Sequence, residues 1–149
     1  MSNELTRHVG TDMSTKDIGY HLAKSGCFDD AKSESQVIVK ILAGQELGFG
    51  PIASMGGVHF IKGKVTAGAN LIAAAVKRSG KYNYRVAQMD DQICEIIFYE
   101  RGEEIGRSIF TAAEAARAGT QNMQKFPKNM LFARAISNGV RWYAPDVFL

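Results

Sequence analysis

Hydrophobic and polar positions along the chain change period several times, and each change marks an element. Ser14 followed by Asp17 has the form of a capping box, which predicts a short helix through Lys24 that stops at Gly26. Ser33 and Gln36 repeat the device. Val37, Ile38, Ile41 and Leu42 then recur at helical spacing, with Glu34, Lys40, Gln45 and Glu46 between or after them, so a helix is expected over 34–47. The next stretch, GFGPIASMGG, reads as a bend: Pro51 forbids continuation of a helix and Gly56-Gly57 is a flexible joint. A glycine pair also lets backbone approach a phosphate, but the Walker spacing and its Lys-Ser/Thr pair are missing, and a plain loop is the better reading.

Val58, Phe60 and a shorter arm at Val65 predict a hairpin around Lys62-Gly63-Lys64, with both lysines on a protruding finger. Residues 69–78 are rich in helix formers and nearly apolar all round. They predict a buried helix whose basic end, Lys77-Arg78, emerges at the surface and suits the C-terminal pole of the helix dipole. Three strands follow at 82–86, 92–99 and 104–110. The middle one alternates Ile93, Glu95, Ile97 and Tyr99 against Cys94, Ile96 and Phe98, and Glu100-Arg101-Gly102-Glu103 looks like a hairpin loop, so the three make an antiparallel meander. TAAEAARAG carries a second kind of punctuation, a capping box at Thr111 and Glu114 and a stop at Gly119, for one short helix.

A last helix runs from Pro127 to about Tyr143, before Pro145. Phe132, Ile136, Val140 and Tyr143 share one side, while Arg134, Ser137, Asn138 and Arg141 gather opposite with Met130. That polar side is either an ordinary solvated face or a binding face, and periodicity does not separate the two. The pattern as a whole predicts an α+β fold: a small antiparallel sheet (hairpin plus three-stranded meander) packed by four or five helices. It forms a single domain over 13–149 behind a flexible lead of residues 1–12.

Composition narrows the class. At 149 residues and 46% hydrophobic, the chain has enough mass for one core and does not look disordered. Its net charge of +3 says little, but the distribution of that charge says more. Residues 58–85 hold Lys62, Lys64, Lys77, Arg78, Lys81 and Arg85 and no acid, whereas Asp90, Asp91, Glu95, Glu100, Glu103 and Glu104 then oppose only Arg101 and Arg107. One positive and one negative face suit a polyanion and head-to-tail self-association. Cys27 and Cys94 offer no disulfide framework and read as reduced core fillers of a cytosolic protein. No apolar run reaches membrane-spanning length and MSNELTRHVG lacks a signal-peptide core, so an intracellular chain with no membrane partner is expected.

Catalytic chemistry has little support. His8, His21 and His59 lack zinc-motif spacing, no Gly-x-Ser-x-Gly elbow is present, and Asp90-Asp91 is more readily a turn than a metal site. No catalytic and no metal-binding residue is expected; an enzyme would need a pocket that brings His59 near an acid or a metal. Binding is better supported, because Lys and Arg neutralise phosphates and aromatic rings stack on single-stranded bases. Candidate phosphate contacts are Lys62, Lys64, Lys77, Arg78, Lys81 and Arg85, joined by Lys128, Arg134 and Arg141 if the last helix lies beside the hairpin. Phe60, Tyr82, Tyr84 and Trp142 are candidate stackers, each more readily read as core, so that one or two at most stack, with Trp142 beside Arg141 the best single candidate for an interface. Finger, helix end and the arginine side of the last helix are expected to share one trough. The alternative is a small basic interaction or accessory module that meets an acidic protein partner.

The order of these motifs resembles the phage-type single-strand DNA annealing proteins, the RecT-like group that includes the Red-beta branch. LAKSG at 22–26, VIVKILAGQELGFGPIASMGGVHFIKGKVTAGANLIAAAVKRSG at 37–80 and KFPKNMLFARAISNGVRWYAPDVF at 125–148 carry the resemblance. It implies a non-catalytic, ATP-independent activity: binding of single-stranded DNA and annealing of complementary strands in bacteriophage homologous recombination and DNA repair. It also implies homo-oligomeric rings or helical filaments, a phage exonuclease as partner, and the cytoplasm of a bacterial host, at the nucleoid when on DNA. No cofactor is implied, with Mg2+ a stimulant rather than a bound ion. The implied DNA path is a positive groove between the hairpin and the helices. Matched to this chain, the family's basic positions fall on Lys62, Lys64, Lys77, Arg78, Lys128, Arg134 and Arg141. Longer members continue past the position of Leu149, so a compact or C-terminally truncated variant is expected.

Overall fold

The structure, a computed structural model, describes residues 13–148. The flexible lead expected for residues 1–12, and His8 within it, lie outside the described residues. The fold is α+β as expected, with a two-stranded and a three-stranded antiparallel sheet and six α-helices among the described residues. The chain divides between Thr66 and Ala67 into two compact units.

The first unit holds α1 (Thr15–Lys24), α2 (Glu34–Glu46), α3 (Pro51–Gly57) and the hairpin of β1 (Val58–Ile61) and β2 (Lys64–Ala67). Both predicted capping boxes form: the Ser14 and Ser33 hydroxyls accept from the Asp17 and Gln36 amides, whose side chains accept in return. Gly48 ends α2 at φ 79°, and Phe49 N–H donates back to Gly44 O at 2.8 Å while Gly48 N–H donates to Gln45 O at 2.9 Å. These are the two bonds of a Schellman stop. The stretch read as a bend contains α3 instead. Proline at its first position supplies a start, and Ser54 and Met55 are buried. A Cβ on Gly44 would overlap Ser54, so the missing side chain is what lets α2 and α3 come together. Val37, Ile41 and Met55 form the core with Ala31.

Lys40, placed by periodicity between apolar neighbours, is fully buried. Its ammonium donates to Asp30 Oδ2 at 2.6 Å and to Met55 O at 2.9 Å. A charge withdrawn from water survives there because it is paired and hydrogen-bonded.

The second unit places α4 (Ala69–Arg78) and α6 (Pro127–Tyr143) against the meander of β3 (Tyr82–Met89), β4 (Ile93–Glu100) and β5 (Glu103–Thr111), with α5 (Ala112–Ala118) after β5. Cys94, Ile96 and Phe98, the face expected from alternation, are completely buried with Ile72, Val76, Leu131 and Ile136. Two glycines set how closely α6 lies on the sheet. A Cβ at Gly139 would overlap the Phe98 ring, and one at Gly106 would overlap the Tyr143 ring. Ser108, also buried, donates to Ala135 O at 2.7 Å and ties β5 to the same helix. Cys94 packs as a core filler, its thiol pushed up to about 11 by burial, but Cys27 is exposed and fills no core. It falls in the connection after α1, where neighbouring Gly26 at φ 69° turns the chain out of the helix.

Candidate nucleic-acid interface

The largest concentration of cations lies along the start of β3. Register explains it. Tyr82 pairs with Glu100, Asn83 with Tyr99 and Arg85 with Ile97, so the residues before β3 lie beside the turn after β4. That turn is Arg101-Gly102, both at positive φ (50° and 85°), the pattern of a two-residue type I′ hairpin. Arg101 N–H donates to Lys81 O at 2.8 Å and fixes the turn against the strand start. The result is a cleft of about 700 Å³ lined by Lys77, Gly80, Lys81, Tyr82, Asn83, Tyr84, Arg85, Tyr99, Arg101 and Gly102. Four of the ten are cationic and three are tyrosines; none is acidic.

The four cations are not equivalent. Lys77 donates to Asn83 Oδ1 at 2.6 Å and Tyr84 O at 2.8 Å and sits 4.5 Å from the Tyr84 ring centre. It caps a carbonyl of an edge strand, which leaves its charge in place but its geometry fixed. Lys81 is ion-paired to Asp146 at 3.0 Å and Glu100 at 3.2 Å. Tyr82, then Asp146 and Glu100, push its ammonium above the ordinary lysine range. Arg85 and Arg101 are exposed and have no side-chain hydrogen bond or ion pair among the described residues. They are the two guanidiniums ready for an anion.

The opposite side of the sheet's outer face is neutralised or acidic. Arg107 on β5 donates to Glu104 at 2.7 Å and to Glu95 at 3.2 Å, and those two carboxylates, Glu104 first, raise its pKa. The expected charge asymmetry is therefore partial: Glu95 and Glu104 gather on Arg107 towards β5, but Glu100 lies among the cations, on Lys81.

The remaining candidates divide by place. Lys62 and Lys64 are exposed in the first unit with no partner among the described residues. The turn there is Lys62-Gly63, at φ 51° and 76°, with Lys64 already in β2. Arg78 is exposed at the end of α4. Lys128 lines a separate depression with Asp91, and the Arg134 guanidinium lies 5.6 Å from the Phe110 ring centre. Both lie towards the Asp90–Asp91 end of the meander: Phe110 pairs with Cys94, three positions or about 10 Å along β4 from the Ile97 that faces Arg85. Arg141 is exposed but does not line the groove. The last helix thus spreads its cations over its length rather than gathering them beside Lys77. Its Ser137 hydroxyl is turned inward onto Ala133 O at 2.6 Å.

Among the stackers, Tyr82 is only 8% exposed, so its ring belongs to the core, and its hydroxyl already donates to Asp146 Oδ1. Tyr84 packs on Phe132, Phe60 is half-buried, and Trp142 is 56% exposed with Tyr143 edge-on to it. Tyr99, half-buried in the groove wall, was not picked out by the sequence. Neither was Arg101, which sequence counting set among acids.

Other chemistry is accounted for locally. Asp90 Oδ1 accepts from the Gln92 and Ile93 amides at 2.7 and 3.0 Å, which holds its pKa low and makes the acidic pair a turn. His59 Nδ1 lies 3.7 Å from Asp30, the proximity to an acid that an enzyme reading asks for, but that carboxylate is already held by Lys40. Among the described residues no group of three or more His, Cys, Asp or Glu side chains could hold a metal ion, and no helix is long and apolar enough to cross a membrane. No protein-family model, curated protein or solved structure matches the chain, so a functional reading rests on the chemistry of the groove itself.

Proposed function

We propose that the protein binds single-stranded DNA and anneals complementary strands without a nucleotide cofactor, the strand's backbone following the groove along β3. One observation carries the reading: a groove lined by four cations and no acid, in which Lys81 is held by Asp146 and Glu100 but Arg85 and Arg101 are unpaired and flank tyrosine surface. Arg and Lys neutralise phosphates whatever the sequence, and a tyrosine accepts any base on its face. A strand held by its backbone leaves base edges free to test a second strand, so base pairing supplies the specificity. Lys62 and Lys64, exposed on the hairpin of the first unit, offer further phosphate contacts. Under this reading the partial separation of cations and carboxylates across the meander favours head-to-tail homo-oligomers. A phage exonuclease as supplier of strands and the cytoplasm of a bacterial host belong to the same proposal.

The test is an annealing assay with labelled complementary oligonucleotides and no ATP. Acceleration over the protein-free rate is expected, together with retention of oligo-dT at low salt. Failure of the folded protein to retain oligo-dT rejects the reading. A second reading, an accessory module for an acidic protein, draws on Lys81, which already accommodates two carboxylates. Competition separates the two: oligo-dT displaces a strand-binding protein from heparin resin and leaves the accessory module bound.

A further inference from the structure

The groove has one cationic side chain whose partners come from a different part of the chain. Asp146 lies in the short 3-10 turn Pro145–Phe148 that follows α6. Its two carboxylate oxygens are both used: Lys81 Nζ donates to Oδ2 at 3.0 Å and the Tyr82 hydroxyl donates to Oδ1 at 2.6 Å. An ammonium and a phenol converging on two oxygens of a monoanion is also what the non-bridging oxygens of a phosphodiester ask for. The two halves of this contact are unequally anchored. Lys81 and Tyr82 are fixed by Arg101 N–H on Lys81 O, by the Ser79 hydroxyl and by the burial of Tyr82. The turn that carries Asp146 contains no fully buried residue: Val147 and Phe148 pack against the core but stay partly exposed, and Val147 N–H donates to Ala144 O at 3.2 Å.

We propose that Lys81 and Tyr82 form a latent phosphodiester subsite at the end of the groove, and that Asp146 is a built-in stand-in for the phosphate, which the nucleic-acid backbone must displace. This rests on the reading of the groove as a strand-binding site. Exchange of one monoanion for another leaves the local charge unchanged. The polymer, however, releases condensed counterions when a cation takes its phosphate, and the carboxylate does not. Displacement is therefore favoured at low salt and reversed at high salt. The subsite opens as one more contact after Arg85 and Arg101 have brought the backbone in. Glu100, 3.2 Å from Lys81, stays as the second partner and keeps the ammonium in position.

The experiment titrates fluorescein-labelled oligo-dT against the full chain and against Asp146→Asn over a range of salt. At high salt, where Asp146 keeps its place in the unsubstituted chain, the freed contact steepens the log–log slope by about 0.7; at low salt, where the strand displaces Asp146, the two slopes converge. Adding Lys81→Gln to Asp146→Asn should return the high-salt slope to that of the unsubstituted chain. Should Asp146→Asn disturb the fold, hydrogen exchange on the unsubstituted chain reads the same event: the Val147 amide loses protection when oligo-dT binds. Unchanged slope and affinity in a folded Asp146→Asn protein, or Val147 protection that stays or rises, overturns the proposal. If Arg85→Gln with Arg101→Gln still weakens binding in that case, the groove stands and only the latent subsite falls. If neither the unsubstituted chain nor Asp146→Asn binds, both fall.

Discussion

Replacing Arg85 and Arg101 together by glutamine is the most direct perturbation of the groove. Both side chains are exposed and have no partner among the described residues, so their loss removes charge without stranding a buried group. Folding stability should change by less than about 0.5 kcal/mol. The Arg101 backbone amide, not its side chain, holds Lys81 O, so the turn geometry survives the change. Each lost phosphate contact on a single strand flattens the salt slope by about 0.7, so the pair flattens it by about 1.4 and weakens binding about 25-fold at roughly 0.1 M salt. Fluorescence anisotropy with labelled oligo-dT at several salt concentrations measures both quantities at once. Arg117→Gln is the matched control: an exposed cation on α5, after the far end of β5, that does not line the groove. An unchanged slope in the folded double variant refutes the assignment. An equal loss in Arg117→Gln would show that binding follows diffuse charge and not this groove.

Two further substitutions test the packing that positions the site. Helix propensity alone says that Gly139→Ala should stabilise α6 by up to about 1 kcal/mol. The structure says the reverse, because the new Cβ overlaps the buried Phe98 ring; a loss of about 3 kcal/mol by urea unfolding is expected, and any gain refutes the close approach of helix and sheet. In the first unit, Asp30→Asn removes the counter-charge of the buried Lys40 ammonium and leaves it only neutral acceptors, the Met55 carbonyl and the new amide oxygen. Because Asp30 is itself about half exposed and screened by water, the cost is discounted to about 1–2 kcal/mol. The Lys40 hydrogen bond holds the Asp30 carboxyl below its ordinary 3.8, so its stabilisation is full above the unfolded value and is lost as pH falls through the folded one. The gap in thermal midpoint between the unsubstituted chain and Asp30→Asn should thus be constant near neutrality and close in acid. A gap that widens in acid would contradict the ion pair.

Much of the fold was legible because its signals are local. Three capping boxes, the apolar run 69–78 and the alternation of β4 each depend on residues a few positions apart, and each element is present with nearly the expected bounds. Elements whose reasons are distant were misread. α3 contains glycines and a proline that argue locally for a bend, but buried Ser54 and Met55 and the vacancy at Gly44 outweigh propensity. β3 runs on to Met89, past the expected end at Val86, because a bulge between Val86 and Gln88 absorbs the irregular residue and pairing resumes. Lys40 is buried by virtue of an aspartate ten residues earlier, a partnership that hydropathy does not register.

The site was half legible for a related reason. Counting charge along the chain found the basic run but ranked its members by proximity in sequence, which set Lys77, Lys81 and Arg85 with lysines of the hairpin and gave Arg101 to the acidic segment. Antiparallel pairing reorders that ranking. Once the turn at Asp90–Asp91 is accepted, register places the start of β3 beside the end of β4, and Lys81 opposite Arg101 follows by extending the ladder one step beyond Tyr82 and Glu100. Tyr99 comes with it, directly across from Asn83. The signal was therefore present in the meander itself. Asp146 was not reachable in this way, since nothing periodic links a turn after the last helix to a strand start more than sixty residues earlier. The difference has a functional consequence. A cation's availability depends on its carboxylate partners, so Lys81, conspicuous in the sequence, is already committed. Arg101, counted as a mere counter-charge, is one of the two guanidiniums whose removal the salt slope should register.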